Sequence, residues 1–206
     1  MDSNKVLETI KAIGDKIDAE KDYLTELDNI IGDGDHGINM ARGFQMVESK
    51  LPSLEGKDIG TILKTVGMTL VSTVGGSSGP LYGTAFMKAG MAMAGKMDMD
   101  LNDFLSCLDV AIEGVKMRGK STQGEKTMLD AMIPALDAMR TATENSSDSK
   151  TVLAAGIEAA KAGVEYTKTI IATKGRASYI GERSLGHQDP GATSFTDILE
   201  TIGSAL

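Results

Sequence analysis

Three carboxylates, Asp28, Asp33 and Asp35, fall within eight residues of the run Asp-Asn-Ile-Ile-Gly-Asp-Gly-Asp-His-Gly-Ile-Asn at positions 28–39. Glycines 32, 34 and 37 interleave with the last two acids and allow tight turns that can fold them back towards Asp28. Two carboxylates roughly 5 Å apart, at an effective dielectric of about 20, repel by about 3 kcal/mol. A cation removes that penalty, and an all-oxygen cluster suits a hard one such as Mg²⁺ or Ca²⁺. The same run also reads as a solvated acidic loop whose side chains point apart. An EF-hand is excluded, because counting from Asp33 puts Gly37 at the third acidic ligand and Phe44 at the bidentate Glu. For a metal at this run, Mg²⁺ sharing its coordination with a phosphate is the best match.

Two further polar, glycine-rich stretches suit the same chemistry. Gly75-Gly76-Ser77-Ser78-Gly79-Pro80 can present backbone N–H groups and two hydroxyls at a helix N-terminus, a general anion-binding arrangement. It can equally be an ordinary interhelical turn. Lys174–Ser194 is long and rich in Gly, Ser and Arg, and loops of that length in compact domains are usually functional or disordered. It carries Lys174, Arg176 and Arg183, and Arg is the side chain best matched to phosphate oxygens. The only two histidines, His36 and His187, lie in these special segments. His36 can orient a phosphate or merely stabilise its own turn. Residues 114–121 match the phosphate-loop pattern GxxxxGK[ST] letter for letter, but the upstream residues have helical period and no βαβ unit is visible. What remains is a turn where Gly119 can approach a ligand closely.

Helices must position all of this. Apolar residues at Val6, Ile10, Ile13, Ile17, Leu24 and Leu27 carry a helical pattern into the acidic run. Asp28 then sits near a helix C-terminus, where the macrodipole disfavours a carboxylate. The pattern predicts a short helix over Asn39–Glu48 and one capped by Asp58 that buries Ile59, Ile62, Leu63, Val66 and Leu70. Further helices are predicted over Leu81–Gly95 and from Leu101 to Val115. Met128, Met132, Leu136 and Met139 mark another, with a kink at Pro134. The last two run from Leu153 to Ile171 and from Phe195 to Ile202. Strand alternation is absent, so eight or nine helices with short connections predict an all-α antiparallel bundle or barrel.

At 206 residues the expectation is one domain, 1–206, with a proper core. A net charge of −8 without a basic stripe argues against nucleic acid as a partner. The N-terminal residues lack a signal-peptide apolar region and no apolar run approaches a membrane span, so a cytoplasmic protein without membrane partners is expected. The single Cys107 falls in a helical pattern and reads as a buried structural thiol. Abundant Met reads as adaptable core filling.

Four blocks carry a resemblance: Gly-Asp-Gly-Asp-His-Gly-Ile-Asn-Met (32–40), Gly-Gly-Ser-Ser-Gly-Pro-Leu-Tyr-Gly (75–83), Gly-Glu-Lys-Thr-Met (124–128), and the whole of 174–194. In the same order and over nearly the whole chain, they resemble the nucleotide-binding subunit of bacterial dihydroxyacetone kinase, the DhaL type. One departure is Glu125, where the family usually has Asp. The resemblance implies an antiparallel eight-helix barrel with the nucleotide at one end, beneath the long Gly/Arg-rich loop. It implies that Asp28, Asp33 and Asp35 hold two Mg²⁺ ions. By the same resemblance, His36, Gly37, Ile38, Asn39, Ser77 and Ser78 would contact the phosphates or the metal-bound end of ADP. Gly119, Thr127, Met128, Asp189, Pro190 and Gly191 would line the purine and ribose. Arg176 would reach the phosphates, and it and His36 are the catalytic candidates.

The activity so implied is that of a phosphoenolpyruvate-dependent dihydroxyacetone kinase subunit that retains ADP. A phosphohistidine on an M subunit of the phosphotransferase system recharges the ADP to ATP in place. The γ-phosphoryl then passes to dihydroxyacetone on a K subunit. Two alternatives stand beside it. One is a subunit of an ATP-dependent kinase of the same fold, which normally has this domain fused to a substrate domain. The other is a Mg-ADP-loaded module that signals to a transcriptional regulator.

Overall fold

The computed structural model describes residues 1–206 and is entirely helical. Nine α-helices follow one another: α1 Ser3–Ala19, α2 Lys21–Ile31, α3 His36–Glu48, α4 Ile59–Thr73, α5 Ser78–Ala92, α6 Leu101–Gly119, α7 Leu129–Thr143, α8 Ser149–Thr167 and α9 Pro190–Ser204. Two 3₁₀ segments, Leu51–Leu54 and Arg176–Ser184, interrupt the connections. The only β-type pairing is an isolated bridge between Asp2 and Asp98.

Eight of the nine helices close a ring. α1 packs on α3, each helix from α3 to α8 packs on its successor, and α9 returns to α1. The ninth, α2, lies outside the ring and packs on α3, α9 and the Arg176–Ser184 segment. The starts of α3, α5, α7 and α9 and the ends of α2 and α6 border one common pocket, so neighbours in the ring alternate in direction. This is the antiparallel barrel expected from the periodicity.

Local chemistry explains where the elements differ from expectation. The apolar pattern from Val6 to Leu27 splits at Glu20, because residues 18–23 (Asp-Ala-Glu-Lys-Asp-Tyr) offer no apolar anchor until Leu24. α3 begins at His36 rather than Asn39. α5 begins at Ser78 rather than Leu81, with Pro80 in its first turn, where a missing N–H costs nothing. α7 continues through Pro134 as one helix. α8 stops at Thr167, leaving Ile171 exposed beyond it. The long 174–194 stretch is less irregular than a loop: it holds the 3₁₀ segment, broken at Gly181, and the first turn of α9.

One apolar cluster fills the ring, from Val6 and Ile10 of α1 to Phe195, Ile198 and Leu199 of α9. Within it lies a mostly apolar cavity of about 610 Å³, reaching from Met1 and Leu206 to Tyr82 and Met128. The last two residues also border the polar pocket at the other end. Cys107 is buried, and burial pushes its thiol pKa up to about 11, as a structural thiol requires. No helix is long and apolar enough to cross a membrane.

The tightest seam joins α4 to α5. A Cβ on Gly67 would lie 2.6 Å from the Gly83 carbonyl oxygen, and one on Gly83 2.7 Å from that of Gly67. Gly60 and Gly90, one heptad away, face each other in the same reciprocal manner at 2.7 and 2.8 Å. Backbone opposes backbone, so nothing flexible can yield. Gly67→Ala is therefore expected to cost about 1–3 kcal/mol, read as a fall in melting temperature of roughly 2–4 °C per kcal/mol. Gly203→Ala is the contrast, because its new methyl meets only the movable Ile157 Cδ1; it should melt close to the parent. Equal melting of the two variants would show that the α4–α5 seam is not backbone-limited.

Candidate active site

The acidic run is folded as its glycines allow. Asp28 lies buried in the last turn of α2, at the unfavourable end of that helix dipole. The cost is offset by the neighbouring helix. Asp28 Oδ2 accepts the N–H of Asp35 at 2.9 Å and of His36 at 3.1 Å, the first donors of α3. That cap is why α3 starts early. A side chain at Gly32 would collide with the Asp28 carboxylate, so only Gly lets the chain turn there. Oxygens of Asp28, Asp33 and Asp35 come within 4.8 Å of one another. A hard divalent cation fits this all-oxygen set. Above it, Arg176 Nη2 sits 2.8 Å from Asp33 Oδ2.

Four helix N-termini border the pocket, those of α3, α5, α7 and α9. Their dipoles and free N–H groups favour a polyanion there. At α5 the Ser77 hydroxyl makes no capping bond and faces the pocket. At α7 the buried Asp130 accepts from Gly124 N at 2.5 Å and Thr127 N at 2.8 Å, closing the turn that carries Thr127 and Met128. At α9 the N-cap Asp189 accepts from Ala192 N at 2.7 Å, and its own N–H donates to Thr167 Oγ1 at 3.0 Å. Burial pushes the Asp189 carboxyl up to about 7. The Ala192 N–H opposes that shift, Asp130 adds to it and Lys126 reduces it.

A chain of side-chain hydrogen bonds forms the floor. His36 Nδ1 pairs with Ser78 Oγ and Nε2 with Ser194 Oγ, each at 2.9 Å, and Ser194 Oγ lies 2.7 Å from Tyr82 Oη. Burial pulls the His36 pKa down to about 4 against the opposing charge of Asp35, so the ring is neutral at ordinary pH. With hydroxyls on both sides, either tautomer is satisfied. His36 thus ties α3 to α5 and α9 at the edge of the pocket.

The pocket, of about 820 Å³, brings together Asp28, Asp33, Asp35, His36, Ser77, Ser78, Gly119, Thr127, Met128, Arg176, Asp189, Pro190 and Gly191. Gly37, Ile38 and Asn39 do not line it: Gly37 and Ile38 are turned about 100° and 200° around α3 from His36, whereas Asn39 returns to the His36 face and is covered by the Gly75 turn. Gly37 is pressed against Lys21 and Thr25 of α2, and Ile38 is exposed. Asn39 is buried behind Gly75, with its Oδ1 accepting from Arg42 at 2.7 Å. Gly114 falls inside α6 and Gly119 ends it, so the phosphate-loop match is a helix terminus. Residues not foreseen are Lys126, Asp130, Tyr82 and Ser194. Thr127-x-x-Asp130 ahead of an apolar helix is a capping signature that could have identified Asp130. Glu125 Oε2 accepts from Thr122 N at 2.8 Å, bracing the turn from outside.

With this geometry in place, known proteins can be set beside the chain. The DAK2 domain family matches residues 30–204. The ADP-binding subunit DhaL of the PEP-dependent dihydroxyacetone kinase of Escherichia coli (strain K12) is 42% identical over 201 residues, covering 98% of this chain and 96% of that one. The ADP-binding subunit DhaL of the PTS-dependent dihydroxyacetone kinase of Lactococcus lactis is 41% identical over 196 residues, 95% and 94% of the two chains. Among solved structures, the dihydroxyacetone kinase from C. freundii, in complex with AMP-PNP and Mg²⁺, superposes with a TM-score of 0.76 at 24% identity. All of this chain is covered but only 35% of that one, and the likeness speaks to the fold alone. By the domain match, and by identity sustained along almost the full length of two separate relatives, the chain belongs to the DAK2 domain family, among its DhaL-type subunits.

Proposed function

We propose that residues 1–206 act as one nucleotide-holding unit, the ADP-binding subunit of a phosphoenolpyruvate-dependent dihydroxyacetone kinase. The observation that carries this reading is the convergence of three carboxylates, four helix N-termini and Arg176 on one pocket. Near-full-length identity to subunits named for ADP binding supports it. A tightly held ADP would lie with its phosphates over the acid cluster. Its purine and ribose would lie against Gly119, Thr127, Met128, Asp189, Pro190 and Gly191. Two Mg²⁺ ions bound through Asp28, Asp33 and Asp35 would neutralise the phosphate oxygens and orient them for in-line displacement.

The chain's own part is positioning and charge. Ser77 and the first N–H groups of α5 face the phosphate end. His36 holds Ser78 and Ser194 in register and passes no proton. Arg176, whose guanidinium already reaches Asp33, needs only a short side-chain swing to meet a phosphoryl oxygen. No nucleophile from this chain is required, since a phosphohistidine carrier subunit would supply the phosphoryl group and a substrate-holding subunit would present dihydroxyacetone. The setting is cytoplasmic, and contact with a transcriptional regulator would be a further role for the same loaded state.

The protein gently purified should carry ADP without addition. It has no Trp and only four Tyr, so bound adenine should dominate its ultraviolet absorbance, and denaturation should release a nucleotide identifiable by mass. A nucleotide-free spectrum would remove the permanent cofactor.

Metal chelation should lower the melting temperature of the Mg-ADP-loaded protein. A ligand at 1,000 times its dissociation constant stabilises by about 4 kcal/mol. Asp33→Asn should blunt that sensitivity. Identical melting with and without chelator would remove the metal from the site.

Arg176→Ala should slow phosphoryl transfer far more than it weakens nucleotide retention. Several groups share the ground-state nucleotide, whereas comparable arginines contribute roughly 10³–10⁵ in rate by stabilising charge in transit. Single-turnover transfer from the phosphorylated carrier, with bound nucleotide assayed in the same sample, separates the two effects. Unchanged transfer, or ADP loss sufficient to explain the whole defect, would mean that Arg176 has another role.

A further inference from the structure

Lys126 is among the largest side chains with almost no exposure, at 1%. Its Nζ donates to the carbonyl oxygens of Ser184 at 2.6 Å and Thr167 at 2.7 Å, with a longer contact to Ile170 at 3.4 Å. An ammonium has three N–H donors and no acceptor, so three carbonyls satisfy it. No carboxylate lies within ion-pairing distance. Its backbone has φ 62°, and it is one of only two non-glycine residues with positive φ, a conformation unfavourable for any residue with a Cβ. A buried charge on a strained backbone is expensive, so the question is what it secures.

The three carbonyls answer it. Thr167 ends α8, and Ser184 ends the 3₁₀ segment. Between them runs a strap whose residues 173–179 line the nucleotide pocket and which carries Arg176. The apolar anchorage of this strap is slight, a satellite cluster of Ile31, Ala172 and Ala177 with Ile180 against it. Polar ties do the rest. Ala172 N donates to Ser184 Oγ at 3.0 Å, Gly186 N to Lys168 O at 2.8 Å and Thr173 N to Glu125 O at 3.3 Å. Lys126 is the one residue that bonds both feet of the strap, and it directly precedes Thr127 and Met128 on the purine-facing turn.

We propose that Lys126 is a positioning residue for phosphoryl transfer: it ties the two feet of the strap to the turn bearing Thr127 and Met128 and so sets Arg176 over the acid cluster. This rests on the functional reading above. Transfer depends on where the guanidinium sits, and a displacement of about 1 Å can cost 10²-fold in rate. Nucleotide retention is shared among many groups and depends on it less.

The test compares Lys126→Met, which keeps the stem and removes the donors, with Lys126→Gln, which keeps two donors on a shorter arm. Amide hydrogen exchange, Mg-ADP affinity and single-turnover transfer from the phosphorylated carrier are measured on each, alone and combined with Arg176→Ala. In Lys126→Met, amides 168–188 should exchange faster while those of α4 and α5 stay as in the parent. Transfer should fall about 10–100-fold, with a smaller loss of affinity, and Lys126→Gln should lie between. The double variant should be no slower than Arg176→Ala alone, which a general loss of stability would not produce. Parental exchange in the strap, or losses that multiply in the double variant, would overturn the proposal. Should Lys126→Met fail to fold, Lys126→Gln and Ser184→Ala, which loosens the same strap from its other side, decide it by the same criteria. If the parent protein itself transfers no phosphoryl group, the functional reading fails, while the exchange comparison still judges whether Lys126 holds the strap.

Discussion

Everything at the polar end of this barrel depends on how one buried carboxylate is held. Asp28 stands at the negative end of α2, where it would be destabilised alone, and is held there because the first two donors of α3 meet its Oδ2. Those two bonds reverse the chain between residues 31 and 36 and bring Asp33 and Asp35 beside Asp28. They also start α3 at His36, which turns the imidazole towards Ser78 and Ser194 rather than towards solvent. The candidate cation site and the hydrogen-bonded floor beside it therefore arise from the same cap.

The ring supplies the opposite charge. Because its helices alternate in direction, four N-termini collect at the end where the carboxylates are crowded. Carboxylates without a cation repel one another there, and N-termini without an anion leave donors unmet. A metal–polyphosphate complex satisfies both at once, which neither a bare cation nor a bare phosphate does. The cavity on the far side of Tyr82 and Met128 is lined mainly by apolar side chains and holds no cluster of carboxylates, Asp100 being the one acid at its edge.

Much of this was legible in the chain. Acid spacing, interleaved glycines and the Gly75–Pro80 break announced the site because carboxylates, hydroxyls and tight turns are local features. The helical ring was legible because its apolar stripes are long. What escaped depends on contacts distant in sequence. Ser194 joins the floor through His36, 158 residues away, and Tyr82, 112 residues away, and no local pattern marks it. Lys126 finds its partners, Thr167 and Ser184, 41 and 58 residues away, beyond the reach of any local pattern. Gly37 and Ile38 belong to the acidic motif by sequence yet are turned to other faces of α3, since a motif read along a line ignores the turn of the helix it enters, and Asn39, on the His36 face, is covered by Gly75.

In the proposed reaction, the pair between Arg176 and Asp33 is the contact that would have to give way. Asp33 cannot serve a metal fully while it neutralises a guanidinium, and Arg176 cannot reach a phosphoryl oxygen while it stays on Asp33. The Arg176 side chain is 64% exposed, and ion pairs of that kind contribute about 0–1 kcal/mol. Such a pair is weak enough to exchange for metal and phosphate, and for the same reason it cannot be what keeps the strap in place. The strap's position must come from bonds that persist when the pair breaks. The buried ones at its feet, from Lys126 to Thr167 and Ser184 and from Ala172 to Ser184, are shielded from solvent and engage neither metal ligand nor phosphate. On the proposed mechanism, separating the anchors of the strap from Arg176 would let the guanidinium change partners without the backbone that carries it having to move.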